Sequence, residues 1–141
     1  LRIGRVRSVL VPGTRDGLGY DLADDGFRVI LSRRLPSLLA TVLPPLVAEF
    51  SATGNCTGFD AVAVHPGGTA IVDALETALG LTPSQVRATR TVMRTSGNTS
   101  SAGILFVLEQ LAATLPVPDG EGLVLGFGPG LTVELMDLSW G

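Results

Sequence analysis

His65 is the single histidine of the chain, and it closes the apolar run Ala61-Val62-Ala63-Val64 just ahead of Pro66-Gly67-Gly68. A short run of this kind reads as a buried strand, and side chains just past the C-terminal ends of strands are favoured ligand positions in α/β sheets. Glycines in the following turn let a substrate backbone or amide come close. Asn98 lies in Gly97-Asn98-Thr99-Ser100-Ser101, at a predicted helix start, where backbone N–H groups favour negative charge. A neutral imidazole and an Asn amide both donate hydrogen bonds without bringing a fixed charge. Together His65 and Asn98 would make an oxyanion hole for a carbonyl oxygen that gains charge during a reaction.

Plainer readings stand beside this one. A lone histidine is often a hydrogen-bonded structural residue, and geometry decides between the roles. Gly97-Asn98 also reads as a helix C-cap. Gly126-Phe127-Gly128-Pro129-Gly130 has the glycines of a phosphate loop but neither the lysine nor the helix start of a Walker loop, so it reads as a hairpin turn. Cys56 precedes His65 by nine residues, which admits a Cys–His nucleophile pair of the hydrolase type; a loop or buried thiol is the simpler alternative. Asp24-Asp25 reads as a solvated turn, and no carboxylate pair has a spacing that supports glycosidase chemistry.

The elements that must position these residues follow from periodicity. Val6–Val11 and Phe27–Ser32 read as strands, with Pro12 to Asp25 between them as a Gly- and Asp-rich loop. Leu35, Leu38, Leu39, Val42, Leu43, Leu46, Val47 and Phe50 keep helical spacing. Pro36 fits the first turn of that helix, and Pro44-Pro45 should kink or split it. After the Ala61–Val64 strand, Ile71 to Leu79 reads as a helix that Gly80 stops. Thr82-Pro83-Ser84-Gln85 has the form of a helix start, with the helix running to about Arg94. Ile104 to Leu115 is a further helix opened by Ser100 or Ser101. Leu123–Phe127 and Leu131–Leu135 read as a hairpin about Gly128-Pro129-Gly130. The order β–β–α–β–α–α–α–β–β implies a layered α/β domain with a mixed sheet flanked by helices.

Composition bounds the function classes. The 141 residues make one domain, with 45% apolar and 16% charged residues, against a usual charged share of roughly 25%. The mean hydropathy is +0.43. The 18 glycines show no period, which excludes a collagen-like chain. Net charge is −3, and the basic residues are all arginine. Arg2, Arg5 and Arg7, with Arg33 and Arg34, form two small clusters rather than the stripe a nucleic-acid surface needs. One cysteine excludes a disulfide framework and a cysteine zinc site within the chain, and points to the cytoplasm. Neither a membrane span nor a signal peptide is expected. The chain begins at Leu1 rather than Met, as a fragment or processed product would.

Gly58-Phe59-Asp60-Ala61-Val62-Ala63-Val64-His65-Pro66-Gly67-Gly68 resembles the catalytic-histidine segment of chalcone synthase-like enzymes, the type III polyketide synthases. Thr95-Ser96-Gly97-Asn98-Thr99-Ser100-Ser101-Ala102 resembles their Gly-Asn-Met-Ser-Ser segment, with Thr99 in place of Met. Gly126-Phe127-Gly128-Pro129-Gly130-Leu131-Thr132-Val133-Glu134 resembles their C-terminal signature, and Phe27–Pro36 resembles the strand leading into the next helix. Order and spacing match over nearly the whole chain. Thr99 is also the form seen in ketoacyl synthases of fatty-acid synthesis, but those carry His-Gln-Ala-Asn where this chain has His-Pro-Gly-Gly, so they are the second choice. The family's nucleophilic cysteine belongs to an N-terminal half that this sequence does not include, and Cys56 does not match it.

The resemblance implies that residues 1–141 are the C-terminal half of a thiolase-like condensing enzyme. The implied partner is an N-terminal half carrying the cysteine, with a homodimer when complete. The implied chemistry is acyl transfer from a starter acyl-CoA and decarboxylative Claisen condensation with malonyl-CoA, with CoA thioesters as substrates and no cofactor or metal. By residue match, His65 pairs with the cysteine, and His65 with Asn98 binds the thioester oxygen. Gly68 and Ala70 match positions beside the pantetheine arm, Gly128 and Pro129 a loop shaping the acyl cavity, and Val29 a position near the cavity mouth. A non-catalytic, stand-alone domain that binds acyl-CoA or a partner is the alternative of another class.

Overall fold

A computed structural model describes residues 1–54 and 58–141. The apolar run at 61–64 forms β4 (Ala61–Val64). Its alternate residues feed two different cores: Val62 and Val64 join one, Ala61 and Ala63 the other. A strand buried on both faces must be covered on both, and helices do this here. α1 (Leu35–Ala52) and α2 (Thr69–Leu79) pack on one face; α3 (Arg87–Thr95) and α4 (Gly103–Ala113) pack on the other. β5 (Gly120–Gly128) pairs parallel with β4, β6 (Thr132–Trp140) pairs antiparallel with β5, and β1 (Arg2–Leu10) pairs antiparallel with β6. The four-stranded sheet therefore runs β1-β6-β5-β4, while β2 (Leu18–Ala23) and β3 (Gly26–Leu31) form a separate hairpin.

The layered α/β class and the mixed sheet flanked by helices are observed as expected. Several element bounds differ, each for a local reason. β2 lies inside the segment expected to be a loop: Leu18, Tyr20 and Leu22 alternate with Gly19 and Asp21, and the glycine and aspartate content conceals that period. α3 starts at Arg87 rather than at Thr82 or Pro83. Gln85 does accept from the Thr82 N–H at 2.8 Å, which is half of a capping box. However, the Gln85 carbonyl accepts from Val62 N at 2.8 Å and its amide donates to the Phe59 carbonyl at 2.6 Å, so the segment is tied to β4 before the helix can begin.

Pro44 and Pro45 do not split α1, which runs unbroken. They remove the donors to the Ala40 and Thr41 carbonyls, but Leu39, Leu43 and Phe50 on either side are buried and hold the turns together. α1 is long and apolar enough to cross a membrane by length and composition, with mean hydropathy 1.4. No membrane span is evident, in keeping with the sequence reading: the helix buries its Leu35, Leu39, Leu43 and Phe50 stripe in the core against α2.

Candidate active site

The loop after β4 carries His65. Its N–H donates to the Leu125 carbonyl at 2.8 Å, continuing the parallel ladder by one residue, and its own carbonyl accepts from Gly67 N at 2.8 Å. The imidazole stands edge-on to Phe127, with ring centroids 5.3 Å apart and planes at 90°. Gly67 fills the space between. A Cβ there would lie 3.3 Å from His65 Cδ2, Ile71 Cδ1 and Phe127 Cε2 alike, so a side chain could enter only by displacing the ring or its support. Burial lowers the His65 pKa below its ordinary 6.5, because a partly desolvated site penalises the imidazolium. The ring is therefore neutral at pH 7, with one N–H donor and one acceptor nitrogen.

Asn98 follows the end of α3. Ser96 N and Gly97 N close that helix on the Val92 and Met93 carbonyls at 2.8 and 3.1 Å. Gly97 turns the chain with φ +67, so the C-cap reading of Gly97 and the site reading of Asn98 are both compatible with the structure. Asn98 Oδ1 accepts from Ser100 N at 2.9 Å, which fixes the amide, and Nδ2 donates to the Gly67 carbonyl at 3.2 Å. The amide has two protons, and Gly67 takes one. Ser100 is held at φ +57, a conformation costly for a residue with a Cβ and common at functional sites. Gly103, at the start of α4, backs this arrangement: a Cβ there would meet Pro66 Cγ at 2.6 Å.

One cavity of about 560 Å³ brings His65, Asn98, Val29 and Pro129 together, with Gly67, Ser100, Ser101, Ile104, Phe127 and Glu134 also among its lining residues. Gly68, Ala70 and Gly128 do not line it. Gly68 is the N-cap of α2, at φ 156 and ψ 155, which only glycine adopts readily, and Ala70 is exposed in the first turn of that helix. Gly128 ends β5 opposite Thr132. The Gly128-Pro129-Gly130 segment is a hairpin turn, and Gly130 N donates to the Leu18 carbonyl at 2.7 Å, anchoring the root of the β2–β3 hairpin.

Cys56 lies outside the described residues. Among the described residues no group of three or more His, Cys, Asp or Glu side chains converges to hold a metal. Sequence reasoning missed Thr89, a fully buried polar residue whose hydroxyl accepts from Val64 N at 2.9 Å and donates to Val64 O at 3.2 Å. It supplies the edge of β4 with the partners a fifth strand would give. Nothing in a threonine within the first turn of a helix signals this.

Comparison with known proteins places the chain. Residues 4–139 match the family of chalcone and stilbene synthases, C-terminal domain, and the chain belongs to that family, within the type III polyketide synthases. It is 34% identical over 142 aligned residues to 1,3,6,8-tetrahydroxynaphthalene synthase of Streptomyces coelicolor, covering 99% of this chain and 38% of the relative. It is 33% identical to the enzyme of the same name from Streptomyces griseus, again over 99% of this chain and 38% of the relative. The crystal structure of the Streptomyces coelicolor enzyme superposes with a TM-score of 0.90 at 34% identity, covering 99% of this chain and 40% of that one. A fungal type III polyketide synthase, ORAS, superposes at 0.85 with 31% identity, over 96% and 40%. The thiolase-like fold follows from these superpositions. The chain spans about two-fifths of the length of these relatives.

Proposed function

We propose that this chain is the part of a decarboxylative condensing enzyme that supplies its oxyanion donors, with His65 and Asn98 as those donors. The observation that carries the proposal is their placement: both line one cavity, and the Gly67 carbonyl links the His65 turn to the Asn98 amide. Preorganised N–H donors without fixed charge suit an oxygen that becomes negative only during the reaction.

In this scheme a cysteine thiolate on the N-terminal half attacks the carbonyl of a starter acyl-CoA; the acyl–sulfur bond to CoA breaks, and CoA leaves as a thiolate that takes the proton from the His65 imidazolium. Malonyl-CoA then loses CO₂: the carboxylate C–C bond breaks and its electron pair moves into an enolate whose oxygen accepts from His65 and Asn98. The enolate carbon attacks the cysteine thioester, a C–C bond forms, and the C–S bond breaks to return the thiolate. His65 serves both stages. A neighbouring thiolate favours the imidazolium, but once the sulfur is acylated that charge is gone, and the burial seen here returns the ring to a neutral donor. Pro129 and Val29 shape the acyl cavity. Gly68 and Ala70, on the adjoining N-terminal turn of α2, border the approach for a pantetheine arm. The complete enzyme is a cytoplasmic homodimer in this proposal.

Co-expression of this chain with a cysteine-bearing N-terminal half tests it. Malonyl-CoA-dependent product is expected from the pair and none from this chain alone. Product from this chain alone, abolished in Cys56→Ser, would contradict the proposal. A stable two-half complex without turnover would favour a binding domain instead.

A further inference from the structure

We propose that Thr14 is a positioning residue for starter selection: its hydroxyl fastens the Pro129–Gly130 turn to the root of the β2–β3 hairpin and so sets the spacing of two parts of the cavity lining. This rests on the condensing function proposed above, in which that cavity receives the acyl group. Pro129 lines the cavity from the turn, and Leu18 and Gly19 line it from the hairpin root.

The turn needs holding from outside. Gly130 is at φ +75 and Leu131 at φ +47. The second value is costly for a residue with a Cβ, and such conformations persist only where the surroundings over-determine them. Leu131 is fully buried, and its carbonyl accepts from Val11 N at 3.0 Å. Gly130 is gripped on both sides by the same segment. Its N–H donates to the Leu18 carbonyl at 2.7 Å, and its carbonyl accepts from the Thr14 hydroxyl at 3.3 Å.

Thr14 also organises the segment that does the gripping. Its hydroxyl donates to the Val11 carbonyl at 2.7 Å, so one proton is shared between a local carbonyl and a carbonyl across the fold. The Thr14 carbonyl accepts from Gly17 N at 2.8 Å, and the Gly17 carbonyl accepts from Ser32 N at 2.9 Å, just past the end of β3. Thr14 therefore joins the exit of β1, the entry to β2 and the β5–β6 turn. Among the described residues it supplies the one side-chain hydrogen bond between the turn and residues 11–18; the others are backbone bonds, which a side-chain substitution leaves in place. Without the hydroxyl the Gly130 carbonyl loses this partner, and Pro129, the residue before it, is freed to shift against Leu18. A cavity whose supporting contacts are loosened discriminates less between ligands of different shape.

The test uses the complete enzyme with malonyl-CoA and three starters: acetyl-CoA, hexanoyl-CoA and benzoyl-CoA. The readout is the ratio of kcat/KM between the best and the poorest starter. Thr14→Val, which keeps the shape and removes the hydroxyl, should close that ratio by about fivefold, the worth of one neutral hydrogen bond. Thr14→Ser, which restores the donor, should keep the ratio of the unmodified enzyme. If Thr14 served stability alone, Thr14→Val would lower the melting temperature and leave the ratio unchanged; that result overturns the proposal and leaves the condensing function standing. Equal kcat/KM for all three starters in the unmodified enzyme would overturn it too, since there would be no selection to set. Absence of product from every starter would overturn the condensing function and this proposal with it. Should Thr14→Val fail to fold, Thr14→Ala gives the same reading. If neither folds, amide exchange in the unmodified enzyme decides: a Gly130 N–H as slow as that of Val11 supports the clasp, and one as fast as an open turn overturns it.

Discussion

His65 stands part-buried against the edge of Phe127, and desolvation holds its pKa below 6.5. As pH falls, the unfolded chain takes up this proton near 6.5 while the folded chain resists until lower pH. The contribution to stability is therefore complete above pH 6.5 and is lost as pH falls toward the folded pKa. Proton NMR of the imidazole should give a midpoint below 6.5, and His65→Gln should flatten the dependence of melting temperature on pH between about 7 and 5. A midpoint at or above 6.5 would contradict the burial argument. Thr99 has a buried hydroxyl without a hydrogen-bond partner. Thr99→Val keeps the shape and removes the unsatisfied oxygen. It should leave stability unchanged or raise it by up to about 1 kcal/mol in urea unfolding; a clear loss would show that the hydroxyl is bonded in solution.

At the scale of elements, the turn after β4 is held from two sides. Thr89 satisfies both backbone groups of Val64, the residue before His65. Thr89→Val would orphan them at a cost of about 1–3 kcal/mol, which thermal unfolding should read as a lowered midpoint. Gly103 leaves no room beside Pro66; Gly103→Ala should cost about 1–3 kcal/mol by overpacking and disturb the Asn98–Gly67 hydrogen bond. Unchanged stability in both variants would mean that the turn tolerates movement.

The elements legible in the sequence were those with an undiluted period. The AVAV run of β4, the three-and-four spacing of α1, and the hairpin about Gly128-Pro129-Gly130 all formed as their patterns demand. β2 was hidden because Gly19, Asp21 and the neighbouring Asp24-Asp25 outweighed its alternating Leu18, Tyr20 and Leu22. The start of α3 was misplaced because a tertiary bond, Val62 N to the Gln85 carbonyl, overrode a local helix-start signal. Of the site, His65, Asn98, Val29 and Pro129 could be found from residue type and motif. The supports Thr89, Phe127 and Gly103 could not, because their roles exist only in contacts across the fold.

The whole molecule leaves much apolar surface uncovered. Ile3, Val6 and Leu10 on β1 are 63%, 57% and 65% exposed, and Leu105 on α4 is 64% exposed. Exposed apolar side chains in this number suit an interface, which the proposed function gives to the rest of the enzyme. The isolated chain should therefore self-associate in sedimentation, and an N-terminal half added in trans should raise its melting temperature through binding to the folded form. A monomer at high micromolar concentration would show the chain to be self-sufficient. The most direct measurement concerns the oxyanion donors: CO₂ release from malonyl-CoA by the complete enzyme and by its His65→Ala and Asn98→Ala variants. Each variant should slow decarboxylation by about a hundredfold or more, as loss of one preorganised donor does, with Asn98→Asp slower still because it sets a like charge beside the enolate. Near-normal rates in either alanine variant would contradict the assignment of that residue.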